Sequence, residues 1–111
     1  MLKRTPLRKR SLSPAAKARR KADAEFQEAV CKVRRCAVCD STQGVSGHHI
    51  ILKSQCHGKL AFMRHDVRNG VALCCECHGW AQDRPYDFDV WLQFWMPEQW
   101  EFVHDPSPTT Q

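Results

Sequence analysis

Residues 68–81 read RNGVALCCECHGWA, and this stretch decides how the chain is to be read. Gly70-Val71-Ala72-Leu73 is a short apolar run of strand type. Cys74 and Cys77 form a C-x-x-C pair, the spacing that puts two thiolates on one tetrahedral metal. His78 follows Cys77 directly, and the chain from Cys75 to about Gln82 reads as a helix. Strand, ligand turn and helix are thus expected in immediate succession.

Working outward, a matching pair stands upstream at Cys36 and Cys39, with Cys39 and Cys74 35 positions apart. Between the pairs, Val45–Ile51 (VSGHHII) reads as a strand entered through Gly44. A polar loop runs from about Leu52 to Arg68, and its length suggests function rather than simple connection. Two knuckles on either side of a strand–loop–strand unit can converge on one ion. Four thiolates are soft donors that select zinc over magnesium or calcium. Buried free cysteines would not explain the paired spacing. The cysteine total of seven is odd, and paired spacings in a reducing compartment favour ligation over disulfides. Cys31, Cys56 and Cys75 fall outside the pairing and read as core or surface thiols.

The chain has 111 residues, enough for one small domain that benefits from a metal staple. No apolar run approaches the ~20 residues a membrane helix needs. The basic N-terminus lacks the apolar segment of a signal peptide, so a cytoplasmic protein is expected. Nine of the 17 Lys and Arg lie in residues 1–21, a segment without acids. The remaining eight face all twelve Asp and Glu. The basic character therefore belongs to an arm: Lys3, Arg4, Arg8, Lys9, Arg10, Lys17, Arg19, Arg20 and Lys21. Such an arm suits nucleic acid or another acidic surface, and a solvated tail is the plain alternative.

Residues 1–12 read as extended, with Pro6 opposing a helix. Ser13-Pro14 is a helix start, with serine as cap and proline in the first helical position. The helix should run to about Val30, with Phe26, Ala29 and Val30 as a short apolar face. Its basic half comes first and its acidic half second, against the helix dipole, a cost a ligand would offset. A second amphipathic helix is expected over Asp87–Met96, packing Phe88, Trp91, Leu92 and Trp95, with Pro97 ending it. The organisation read from this is an arm and helix over 1–30, a folded domain over 31–104 and a polar tail over 105–111.

The motifs GHHI at 47–50, RNGVALC at 68–74 and CHGWA at 77–81 resemble the HNH endonuclease family, the ββα-metal nucleases. The resemblance spans about residues 36–96 and includes small phage- and prophage-encoded members with a basic arm. It implies an α+β fold: a small ββα-metal core with zinc knuckles, preceded by a basic helix and followed by an amphipathic one. It also implies hydrolysis of DNA phosphodiester bonds. That chemistry needs an activated water, a cation for the developing charge and relief for the leaving alkoxide. By resemblance His49 is the general base, His48 and His78 hold a catalytic divalent metal, and Asn69 pins the loop that holds His49. Neighbours on a strand point to opposite faces, so His48 and His49 cannot do the same job in a regular strand. Many members carry Asp where His48 stands. Two imidazoles make a softer site, which admits manganese, nickel, cobalt or zinc beside magnesium, as in the histidine-rich colicin nucleases.

Two readings compete with the nuclease. One is a non-catalytic zinc-ribbon-like module that binds DNA through the arm. The other is a protein-interaction adaptor, for which the acidic, tryptophan-rich C-terminal half speaks. A pure zinc module has no need of a His-His pair and a distant Asn, and this favours the nuclease. His57 and His65 read as surface residues within the loop, with phosphate contact as the alternative, and His104 has no assigned role. Trp80, Trp91, Trp95 and Trp100 read as core rather than as base-stacking platforms. Nothing in the sequence reads base edges, so low sequence specificity or a preference for branched or single-stranded DNA is expected. If about five arm charges meet phosphates, log affinity should fall with log salt at a slope near ~−4.5.

Overall fold

The computed structural model describes residues 11–108. Helix α1 (Pro14–Val30) starts where the sequence places it: the Ser13 hydroxyl accepts the Ala16 N–H at 3.1 Å and Pro14 opens the helix. Its first turn holds no acid and its last no base, so its charges do not favour the dipole. Phe26 is its buried residue; Val30 is half-buried, while Ala29 of the expected apolar face is exposed.

Strands β1 (Ser46–His49) and β2 (Gly70–Leu73) form a two-stranded antiparallel sheet, with Ser46 opposite Leu73 and His49 opposite Gly70. β2 has the expected bounds. β1 is shorter than Val45–Ile51 because a side chain takes over from the ladder. Ile50 N–H still bonds the Asn69 carbonyl, but Ile51 N–H bonds the Asn69 side-chain oxygen at 2.7 Å. The segment after β1, expected as a loop, is wound into 3₁₀ turns at Lys53–Gln55, Gly58–Arg64 and Val67–Asn69.

Both edges of the small sheet are occupied, which settles backbone groups that would otherwise be unpaired. On the β1 side Gln27 of α1 accepts the Gly47 N–H at 2.7 Å and donates to its carbonyl at 3.1 Å. On the β2 side Ala37 N–H meets the Ala72 carbonyl, and Gln99 Nε2 donates to the Arg68 and Gly70 carbonyls. Gly70 is required by close approach: a Cβ there would lie 2.3 Å from Val30 Cγ2 and 2.9 Å from Phe26 Cζ.

Three helices follow: α2 (Cys75–Asp83), α3 (Pro85–Trp95) and α4 (Pro97–His104). The expected stop before Pro97 holds, with Met96 as the cap of α3, but a further helix follows that the sequence reading did not include. Pro97 opens α4, because proline in the first helical position costs no hydrogen bond. The same reason moves the start of α3 back to Pro85. The expected face of α3 is also corrected at one position. Phe88 and Leu92 are buried and Trp91 packs against the core, but Trp95 is 66% exposed. The core joins β2 to the C-terminal helices: Val71, Leu73, Ala81, Phe88 and Leu92 are buried together with Cys36 and Cys74. The fold is α+β. Among the described residues no helix is long and apolar enough to cross a membrane.

Candidate functional site

The two cysteine pairs come together. The sulfurs of Cys36, Cys39, Cys74 and Cys77 all lie within 4.8 Å of one another, and the Cys39 and Cys74 sulfurs are 3.5 Å apart. A tetrahedral ion with ~2.3 Å metal–sulfur bonds would space its sulfurs by ~3.8 Å. A disulfide would need ~2.05 Å. The cluster could therefore hold a structural metal such as zinc. The local chain explains the convergence. Cys36 N–H bonds the Ser41 carbonyl and Asp40 N–H bonds the Cys36 carbonyl, which curls the first knuckle. Asp40 takes a left-handed backbone (φ 64°) and is tethered to Arg35 at 3.0 Å. Cys74 caps α2, its sulfur accepting the Cys77 N–H at 3.5 Å, so a metal-ligating sulfur would sit at a helix N-terminus. Burial opposes ionisation of Cys36, but backbone N–H groups of Cys39, Cys74 and Val38 outweigh it and bring the thiol down to about 6. Burial and the three neighbouring sulfurs push Cys77 well up. A dication relieves that crowding. Cys75, which is exposed, and Cys31 and Cys56, which are half-buried, lie outside the cluster.

His48 of the sheet and His78 of α2 meet on one side of the sheet. His48 points toward α2 and α3: its ring lies 4.7 Å from His78, centroid to centroid, and 5.3 Å from Phe88. Two imidazoles sharing one ion through ~2.1 Å bonds would have centroids roughly 4.5–5.2 Å apart, a spacing that edge-to-face ring packing gives equally. His78 is placed by the turn that places Cys77, and its Nδ1 lies 3.4 Å from the Ser46 hydroxyl. Burial, helped by His78 and His49, lowers His48 to about 4, so the ring stays neutral and able to ligate. Among the described residues neither His48 nitrogen is hydrogen-bonded to the protein, and no buried side-chain nitrogen lacks a partner. The unpaired nitrogens therefore contact solvent. His48 helps line two grooves, one of ≈ 590 Å³ with His49, His78, Lys53 and Gln82, and one of ≈ 540 Å³ with Gln82 and Phe88.

His49 faces the other way, onto α1. Its ring stacks on Phe26 at 4.3 Å with planes 17° apart. Its Nε2 lies 2.8 Å from the Arg64 carbonyl. A carbonyl only accepts, so Nε2 carries the proton and Nδ1 is left as the basic nitrogen. Burial lowers the His49 pKa, and the charges of Lys53 and Arg64 add to this, against the carbonyl bond and Asp23. Asn69 is fully buried. Besides accepting from Ile51 N–H, its amide donates to the Ile51 and Met63 carbonyls at 3.0 Å each, which ties both ends of the loop after His49.

No family model, no curated protein and no solved structure matches this chain. The site is therefore read from its own geometry. The four expected residues divide between the sheet faces: His48 with His78 on one, His49 on the other, and Asn69 between strand and loop. Lys17, Arg19, Arg20 and Lys21 are exposed on α1, with Lys21 3.9 Å from Glu25. Lys3, Arg4, Arg8, Lys9 and Arg10 lie outside the described residues. His57 is exposed, and His65 is held by Asp23 at 2.6 Å. His104 lies tilted against the Trp100 ring and bonds Asp89. The sequence reading missed Gln27, Asp23 and Arg64. They meet their partners across 20 or more positions, and no local pattern announces that.

Proposed function

We propose that this chain is an HNH-type, metal-dependent DNA endonuclease with a ββα-metal core formed by β1, β2 and α2. The observation that carries the reading is the tautomer of His49. Its Nε2–H is committed to the Arg64 carbonyl, so a free basic Nδ1 belongs to a histidine lining the same groove as His48 and His78. Zinc in the four-cysteine cluster fixes the start of α2, and with it His78.

In this reading His48 and His78 hold the catalytic divalent ion. When bound, it supplies Lewis acidity to the scissile phosphate and the departing 3′ oxygen. His49 Nδ1 accepts the proton of the attacking water, and burial lowers the ring's pKa, which favours the neutral form that task needs. Asn69 fixes the loop that carries the Arg64 carbonyl, and so fixes His49. The cations of α1 and the arm bind the DNA backbone, which gives affinity without base reading. An all-imidazole ligand pair favours manganese, nickel or zinc over magnesium.

The test is incubation of supercoiled plasmid and of single-stranded DNA with the protein across Mg²⁺, Mn²⁺, Ni²⁺ and Zn²⁺, beside His49→Ala. Nicking that needs added metal and His49 is expected. DNA binding with no cleavage under any metal would instead identify a non-catalytic zinc module.

A further inference from the structure

The inner face of α1 bears on His49 at three points spaced for one helix face: Asp23, Phe26 and Gln27, at i, i+3 and i+4. Phe26 covers the imidazole, and Gln27 holds the strand two residues before it, at Gly47. Asp23 does not touch His49. Its carboxylate accepts Arg64 Nε and Nη2 at 2.9 Å each and His65 Nε2 at 2.6 Å. The Arg64 carbonyl is the acceptor for His49 Nε2–H at 2.8 Å.

We propose that Asp23 is a positioning residue for His49, acting through Arg64, so that the basic N-terminal helix is part of the catalytic apparatus as well as a DNA contact. This rests on the nuclease reading for its catalytic meaning, and on geometry alone for its structural part. Arg64 closes the Gly58–Arg64 turns, and its backbone is anchored on one side by Asn69, which holds the preceding Met63 carbonyl. The Asp23 fork anchors it on the other. A bidentate guanidinium–carboxylate pair fixes orientation as well as distance. With both anchors the Arg64 carbonyl has one direction, and it aims the His49 ring. With the Asp23 anchor gone the peptide can turn, and His49 Nε2–H loses its acceptor. The same helix carries the exposed Lys17, Arg19, Arg20 and Lys21. Phosphate binding there and alignment of the base therefore share one rigid element.

The experiment pairs a spectroscopic readout with a kinetic one on the full zinc-loaded chain, comparing wild type, Asp23→Asn, Asp23→Glu and Arg64→Lys. In the wild type the His49 Nε2–H proton should be visible by NMR and protected from exchange with water. Asp23→Asn and Arg64→Lys should speed that exchange at least tenfold while the Leu92 backbone N–H exchanges as before. Plasmid nicking should lose about tenfold to a hundredfold in kcat, with KM within about twofold, the signature of a misaimed group. Asp23→Glu keeps the carboxylate and should retain most of both. Unchanged exchange and unchanged kcat in Asp23→Asn and Arg64→Lys would overturn the proposal. If no variant nicks DNA, the nuclease reading falls, and the exchange data alone decide whether Asp23 holds His49.

Discussion

The two faces of the small sheet are built from opposite ends of the chain. His48 looks toward the C-terminal helices, into aromatic rings and a second imidazole, with its nitrogens left unpaired. His49 looks toward α1, where a ring covers it and a carbonyl takes its proton. Adjacent residues of one motif thus receive opposite treatment. One is kept neutral with open nitrogens, which suits the proposed ligand role. The other is fixed in a single tautomer, which suits the proposed base. The β alternation makes the division unavoidable, and the two layers give it chemical content.

The largest expected effect removes both faces at once. Cys74 links β2 to α2 and belongs to the four-sulfur cluster. Structural zinc in small domains supplies ~10 kcal/mol or more of folding free energy. Cys74→Ser should therefore abolish the cooperative thermal transition. Metal analysis of the wild-type chain, purified without added zinc, should find about one equivalent. A stable, folded, zinc-free variant would remove the cluster from the account.

A smaller change should separate the faces. In Gly70→Ala the new methyl meets Val30 and Phe26, so α1 must shift from the sheet. Overpacking of this kind costs about 1–3 kcal/mol. Zinc content and any metal binding at the proposed His48–His78 site should persist, while the melting temperature and any nicking rate fall. Equal loss on both faces would mean that the sheet transmits the strain and that the layers are not independent.

The smallest expected effect is a pH dependence confined to the α1 side. The Arg64 guanidinium holds the Asp23 carboxyl well below the usual carboxylate range, with burial opposing and His65 assisting. Because the folded-state pKa lies below the unfolded value of ~3.9, the pair stabilises the fold fully above that pH and ceases to as pH falls below it. The stability gap between wild type and Asp23→Asn should be flat from about pH 5 upward and shrink below about pH 4. A gap independent of pH throughout would show that the carboxylate's charge contributes nothing.

Much of this division was legible in the residues, and the rest could not be. Ser13-Pro14 marked the start of α1 because capping is local chemistry. The apolar run Gly70–Leu73 marked β2, and the cysteine spacing marked the cluster. The helix over Pro97–His104 was hidden because proline both ends one helix and begins the next. Trp95 was misplaced because α3 turns Tyr86, Val90 and Phe94 outward as well, so its apolar residues do not define one buried stripe. The support beneath His49 was invisible for another reason: Arg64, whose carbonyl His49 meets, pairs with Asp23 41 positions away, and an ion pair at that separation leaves no periodic trace.

The central claim is that His48 and His49 do different work, and the plasmid nicking rate as a function of Mn²⁺ concentration tests it most directly for wild type, His48→Ala, His48→Asp and His49→Ala. The account predicts that His48→Ala needs far more metal and recovers part of its rate when given it. His48→Asp should stay active and shift its preference toward Mg²⁺, since a carboxylate is the harder ligand. His49→Ala should saturate at the wild-type metal concentration yet remain ~10²–10⁴-fold slower at any dose. Wild-type cleavage by His49→Ala, together with unchanged metal affinity in His48→Ala, would contradict the account and leave the pair as structure.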